Sequence, residues 1–301
     1  MSEQTKQFSF TIVEPGARLD KFIAEQVADL SRTQAQKLIE NGCVTVNGAP
    51  EKASYKLNAG EDVLVKIPPS APSHLVPEDI PVPILYEDED ILVVDKPAGL
   101  TVHPAPGHRG HTLVNAVLSH LNTMSDNALR PGIVHRLDKD TSGVMVIARN
   151  TIAHERLAAQ FKQHAVKKVY VTLVRGHLVP EEGIIEAPVG RDSGDRKKMA
   201  VTGEKRGRSA LTRYKVIKYA GKNTLLEVMP QTGRTHQIRV HLAAIGYPVV
   251  GDATYGVKSP VLSRQFLHAH RLGFCHPSTE KYMEFISPLP ADLEKALKEL
   301  D

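Results

Sequence analysis

Within nine residues, His135-Arg136-Leu137-Asp138-Lys139-Asp140-Thr141-Ser142-Gly143, the chain gathers cations, carboxylates and hydroxyls. On its own the run reads as an Asp-rich turn, with Thr141-Ser142-Gly143 closing onto an apolar strand that begins at Val144. That reading accounts for Asp140, Ser142 and Gly143. It leaves unexplained why Arg136 and Lys139 are interleaved with carboxylates just ahead of a buried strand. On extended backbone, residues two apart point to the same side, so Arg136 and Asp138 are expected to face together.

Several chemistries lack their residues. No G-x-S-x-G nucleophile elbow occurs, so a hydrolase triad is not supported. His103, His108 and His111 cluster, but Pro104, Pro106, Gly107 and Gly110 give their loop no regular ligand geometry, and no H-E-x-x-H is present. No Walker loop or dinucleotide fingerprint appears. Neither a metal nor a cofactor is expected.

The elements that must position these residues can be read from pattern. Ile91-Leu92-Val93-Val94 and Val144 to Ala148 are buried-strand runs, and the first ends in a turn, Asp95-Lys96-Pro97-Ala98-Gly99. Leu113 to Leu121 reads as helix, and 152–163 as an amphipathic helix with Ile152, Leu157, Ala158 and Phe161 inward. Val169 to Val174 and Leu225 to Met229 are strands, and Thr235 to Ile245 is a helix stopped by Gly246. Strands and helices mix without a βαβ rhythm, which predicts an α+β fold.

Towards the N-terminus, residues 17–67 read as a compact module after an N-terminal segment, 1–16. Ser31 and Gln34 form a capping-box pattern, Ala35, Leu38 and Ile39 line one helix face, and Gly42 ends it. Val44-Thr45-Val46 enters an Asn47-Gly48 turn, and Asp62 to Ile67 alternates as a second strand. Six prolines within 68–83 predict a stiff spacer ahead of a large domain at 84–301.

With 41% hydrophobic and 24% charged residues, the chain has ample material for a core. Without Trp, aromatic stacking is not expected to dominate binding. The start lacks a signal-peptide pattern and no apolar run reaches membrane-helix length, so no membrane partner and a cytoplasmic location are expected. Cys43 and Cys275 match no metal or redox spacing and are expected to be small buried hydrophobes. The net charge of +4 is uneven: residues 1–80 hold 8 basic and 11 acidic side chains, whereas nine basic residues fall between Arg191 and Lys215. Such a cluster fits either a solvated loop or a polyanion contact.

H-R-L-D-x-x-T-S-G is similar to the signature of pseudouridine synthases of the RluA/RluD class. Further blocks agree in order: ILVVDKPAGLTVHP (91–104), KKVYVTLVRG (167–176), TGRTHQIRVHLAAIGYPVVGDATYG (232–256) and LHAHRLGF (267–274). RLDKFIAEQVADLSRTQAQKLIENGCVTVNG resembles the S4 RNA-binding module. Together the likeness spans nearly all of residues 17–290. It implies a small S4 domain followed by a catalytic domain on a mostly antiparallel mixed sheet flanked by helices.

The resemblance also implies roles. Asp138 matches the catalytic aspartate, and Asp140, the competing carboxylate, does not. The reaction detaches uracil from C1′ of its ribose, turns it and rejoins it through C5, so it consumes no cofactor. A carboxylate serves only while ionised, and burial opposes that unless a cation stands beside it. Arg239 matches the arginine that pairs with the aspartate, and Tyr170 matches an active-site tyrosine that packs on uracil and could help remove the C5 proton. Arg136 matches an arginine that enters the base stack and holds the uridine out. Leu267 matches an apolar pocket residue, though core packing explains it equally well. Arg18, Arg32, Gln36 and Lys37 match the RNA-facing helix of the S4 module, although that module is net negative.

The GRDSGDRKKMAV stretch (190–201) fits the RluD branch, whose targets lie in the helix 69 stem-loop of large-subunit RNA. It places Arg196, Lys197 and Lys198 near substrate. The expected partner is ribosomal RNA in pre-50S particles, not DNA, with the enzyme acting as a monomer. Other large-subunit or tRNA sites remain open. So does a non-catalytic ribosome-assembly factor, although an intact set of Asp138, Tyr170 and Arg239 argues against that.

Overall fold

The computed structural model describes residues 6–27, 30, 32–67, 75–103, 110–121, 131–195, 198–203, 205–256 and 258–301. The chain divides into two compact units between residues 73 and 74. Ser31, His108, Arg196 and Lys197 lie outside the described residues, so the capping box and two of the basic candidates do as well.

The first unit contains β1 (Lys6–Thr11), α1 (Leu19–Gln26), α2 (Arg32–Glu40), β2 (Val44–Val46) and β3 (Asp62–Ile67). Its antiparallel sheet runs in the order β1-β3-β2, so Lys6–Thr11, ahead of the expected module, is built into the unit. Asn47 and Gly48 both have positive φ, as the Asn-Gly turn requires. Leu19, Ile23, Ala35, Ile39, Val63 and Val65 form the core between helices and sheet.

The second unit begins with β4 (Ile84–Glu87), β5 (Ile91–Lys96), α3 (Leu113–Val117), β6 (Ser142–Ala148), α4 (Thr151–Lys162) and β7 (Lys167–Arg175). Next come β8 (Glu182–Glu186), β9 (Val189–Arg191), β10 (Met199–Val201), β11 (Leu211–Ala220) and β12 (Asn223–Pro230). It ends with α5 (Gln237–Ala244), β13 (Leu267–Cys275), β14 (Tyr282–Ile286) and α6 (Ala291–Leu300). Among the described residues, nine strands make one sheet in the order β4-β5-β6-β13-β7-β12-β11-β8, with β14 also on β13. The β6–β13 pairing is parallel and its neighbours are antiparallel.

The apolar runs of β5 and β6 are continuous because both faces are covered. Ile91, Val93, Val144 and Val146 pack on one side against Ala153 and Leu157 of α4. Leu92, Val94, Met145 and Ile147 pack on the other against Leu113 and Val117 of α3. Helix α4 turns its Ala153–Leu157 stripe inward, and Ile152, expected inside, is 60% exposed at the first turn. Cys275 is likewise exposed, because it ends β13 at the surface.

The proline-rich stretch expected as a spacer over 68–83 is docked on the second unit from residue 76 onward. Asn115 donates to the Val76 carbonyl at 2.9 Å, Asp95 N–H donates to the Pro83 carbonyl at 2.9 Å, and Ile80 and Val82 pack on the α3 side of the core. Prolines forgo a backbone donor, yet their carbonyls and the apolar residues between them still bind an existing surface.

Candidate active site

The nine-residue run leads into β6 through a bend in which Thr141 N–H donates to the Asp138 carbonyl at 3.1 Å. Three partners hold this bend from behind. Lys96, fully buried, donates to the carbonyls of Pro97, Leu100 and Lys139 at 2.9, 2.8 and 3.0 Å. Arg264 reaches the Asp140 carbonyl at 3.1 Å, and Gln265 reaches Thr141 Oγ1 at 3.2 Å. Burial pushes the Lys96 ammonium down to about 7, against the pull of Asp140 and Asp138. At Gly143, φ is +119 and a Cβ would stand 2.2 Å from the Ala269 carbonyl, so only glycine allows β6 to meet β13 there.

Asp138 thereby faces a cavity of about 600 Å³, within the second unit, that Arg136, Tyr170, Arg239 and Leu267 also line. Asp140 does not line it. Arg239 Nη1 donates to Asp138 Oδ2 at 2.9 Å. The two-pronged face of this guanidinium goes elsewhere: Nε and Nη2 meet Asp252 at 2.7 and 2.9 Å. Arg239 lies in the first turn of α5, where the helix dipole disfavours a cation, and two carboxylates offset that. Burial works against the guanidinium, yet Asp252 and Asp138 raise its pKa above the ordinary value. Burial would raise Asp252, but Arg239 and the N–H groups of Thr254 and Tyr255 hold it below the usual carboxylate range. At the preceding Gly251, φ is +76 and a Cβ would lie 2.1 Å from the Arg264 carbonyl.

Tyr170 lies in β7 opposite Val228 of β12 and Ala269 of β13. Burial, then the nearby Asp138 charge, raises its phenol above the ordinary value, so it stays protonated. Arg136 is exposed at the cleft rim, and Leu267 is buried, serving pocket and core together. Lys168 donates to the carbonyls of Gln231 and Thr232, and burial, then Arg234, pushes its ammonium down to about 8. His135 stacks on Phe161 with centroids 4.5 Å apart, and its Nε2 accepts from Val146 N–H. Burial pushes that ring down to about 3.

The wall opposite is the turn ahead of α5. Gln237 organises it: its Oε1 accepts from Thr232 Oγ1 at 2.7 Å and from Arg234 N–H at 3.0 Å. Its Nε2 donates to the Leu211 carbonyl and Thr212 Oγ1. Helix α5 therefore starts at Gln237, two residues later than the pattern predicts, with His236 at φ +55.

In the first unit, Arg18, Arg32 and Gln36 converge on the buried Asp20 carboxylate at 2.7–3.1 Å. Arg18 holds Asp20 well below the usual carboxylate range, with burial opposing. The two arginine side chains stay about half exposed, and Lys37 is exposed. Lys198 carries the closing contacts of the β9–β10 connection, with Asp192 and Asp195.

Sequence reasoning passed over Lys96, His236, Gln237, Asp252 and Tyr255. A lysine closing a run of four buried apolar residues was one signal, and the last four all lie within the quoted 232–256 block. Among the described residues, no group of three or more His, Cys, Asp or Glu could hold a metal, and no helix is long and apolar enough to cross a membrane.

The mixed sheet thus brings a carboxylate, its arginine and a tyrosine to one cleft. The family model for RNA pseudouridylate synthases matches residues 90–244, and the S4 domain model matches 17–63. The chain belongs to the RNA pseudouridylate synthase family, with an S4 domain ahead of the catalytic domain. An uncharacterized RNA pseudouridine synthase of Bacillus subtilis is 44% identical over 94% of each chain. Ribosomal large subunit pseudouridine synthase D of Pseudomonas aeruginosa is 42% identical, over 92% of this chain and 90% of the relative. Among solved structures, human RNA pseudouridylate synthase domain containing 1 aligns with a TM-score of 0.58 at 28% identity, over 73% of this chain and 96% of that one.

Proposed function

We propose that this enzyme isomerises uridine to pseudouridine in large-subunit (23S) ribosomal RNA, at the helix 69 stem-loop, with Asp138 as nucleophile. The observation that carries the chemistry is the Asp138–Arg239 pair at the floor of the cleft, with the arginine itself locked by Asp252. A guanidinium fixed in this way gives the carboxylate a charged partner that stays in place as RNA displaces water. The C1′–N1 bond breaks, the uracil turns within the cleft, and C5 bonds to C1′. C5 gives up its proton and N1 gains one, so the balance closes without a co-reactant.

Tyr170 offers the uracil a surface. Because its phenol is protonated, it can take the C5 proton only by passing its own onward, and Asp138 is the neighbouring acceptor. Arg136, exposed at the rim, is the wedge that holds the uridine out of its stack, and Leu267 closes the pocket floor. The half-exposed arginines around Asp20, with Lys37, are the RNA contacts of the S4 domain. Arg196, Lys197 and Lys198 are assigned to the RNA backbone on charge. The rRNA target is supported by relatives named ribosomal large subunit pseudouridine synthase D, at 42% identity over most of the chain. A cytoplasmic monomer acting on pre-50S particles fits these assignments.

Mapping pseudouridines in large-subunit RNA incubated with wild type and with Asp138→Asn tests the proposal. Wild type is expected to modify helix 69 uridines and the variant none. Full activity in the variant would remove Asp138 from the chemistry, and modification confined to other sites would remove the target.

A further inference from the structure

His236 has no part in the scheme above, although it lines the cleft. It precedes α5 at φ +55 and ψ +18, a left-handed conformation that non-glycine residues adopt at a cost. Its side chain makes no cap to that helix. Instead, Nδ1 lies 2.8 Å from Tyr255 Oη. That oxygen also accepts the Met199 N–H at 2.8 Å, which leaves the phenol hydrogen for Nδ1. Burial keeps the phenol above its ordinary pKa, so the hydrogen is present. Burial also holds the imidazole below its ordinary value, against the pull of Asp138. A neutral ring that accepts at Nδ1 must carry its hydrogen on Nε2. Nε2 lies 3.9 Å from Asp138 Oδ1, while Arg239 holds the other oxygen, Oδ2, at 2.9 Å.

We infer that His236 is a positioning residue for the nucleophile: its Nε2–H, the tautomer set by Tyr255, closes on Asp138 Oδ1 when RNA fills the cleft. With Arg239 on Oδ2, this fixes the plane of the carboxylate against the reacting carbon. The inference rests on Asp138 being the nucleophile. At 3.9 Å the contact is too long for a hydrogen bond in the free enzyme, and an advance of about 1 Å completes it, as catalytic contacts tighten once substrate is bound. The phenol end of the relay is anchored at the backbone of Met199, directly after Lys198, so closing the last contact would join a residue assigned to RNA to the carboxylate.

The test is the single-turnover rate of pseudouridine formation at saturating enzyme, with RNA affinity and thermal melting measured alongside. His236→Phe keeps a ring and removes both nitrogens; the expected rate loss is about 100-fold, with affinity and melting unchanged. His236→Gln, which returns an N–H near the Nε2 position, is expected to recover most of it. Tyr255→Phe slows the wild type but adds nothing in the His236→Phe background, since both break one chain. A wild-type rate in His236→Phe, a His236→Gln as slow as the phenylalanine variant, or additive losses in the double variant would each overturn the relay. If His236→Phe fails to fold, Tyr255→Phe decides: a slowed rate at unchanged affinity and melting supports the relay, and a wild-type rate overturns it. Asp138→Asn serves as control: where it is inactive, a fully active His236→Phe overturns the relay alone, and where it is active the nucleophile reading and the relay fall together.

Discussion

Arg239 makes two unequal commitments, two bonds to Asp252 and one to Asp138. The first fixes the guanidinium and the second aims it at Asp138, so losing Asp252 would free the arginine to turn. Lys168 carries a different consequence. Among the described residues its ammonium meets two carbonyls, which leaves one hydrogen for RNA. With its pKa at about 8, it is charged below that pH and loses its proton above it. RNA affinity is therefore expected to weaken as pH rises through about 8 in wild type, and to stay flat in Lys168→Arg, whose charge does not titrate there. Filter binding across pH 7 to 9.5 checks this, and an equal decline in both proteins would exclude Lys168 as the source. At this scale the sequence was informative about Asp138, Arg239 and Tyr170, because a signature fixes each type and place. It was silent on Asp252 and His236, whose roles depend on a contact across the 232–256 block that no local pattern encodes.

Among elements, β6 and β13 do most to build the site, since Ser142 and Gly143 pair with His268 and Ala269. Lys96 staples the bend ahead of β6 to the turn after β5. Its three hydrogens match three carbonyls, so Lys96→Met is expected to strand those acceptors and destabilise the catalytic unit by about 3 kcal/mol. Denaturant unfolding followed in the catalytic unit measures it, and a loss below about 1 kcal/mol would show that the carbonyls find other partners. The strands were legible because runs such as Ile91–Val94 and Val144–Ala148 have few other ways to be buried. The errors arose where tertiary contacts outweigh periodicity. Ile152 points outward because Ala153 and Leu157 already fill the stripe, and α5 begins late because Gln237 pins the turn before it.

At the scale of the molecule, each unit has its own core, and every residue lining the cleft belongs to 74–301. Removing residues 1–73 is therefore expected to leave a folded isomerase that acts slowly on ribosomal RNA through weakened binding and with altered site choice. Turnover on a short stem-loop that needs no second contact should stay near wild type. Mapping the modified positions decides it: unchanged site choice and affinity would remove the targeting role from the S4 domain. The two-unit organisation was legible in the change of charge and the proline cluster. The docking of 76–83 was not, because proline content reports stiffness and not where the chain lies.

Arg264 grips the Asp140 carbonyl with one nitrogen and the Asp292 carboxylate of α6 with two others, at 2.6 and 3.0 Å. The bend that carries Asp138 is thus tied through Arg264 to α6, an element far from it along the chain. Local unfolding of α6 would therefore be felt at the bend, although no residue of that helix lines the cleft.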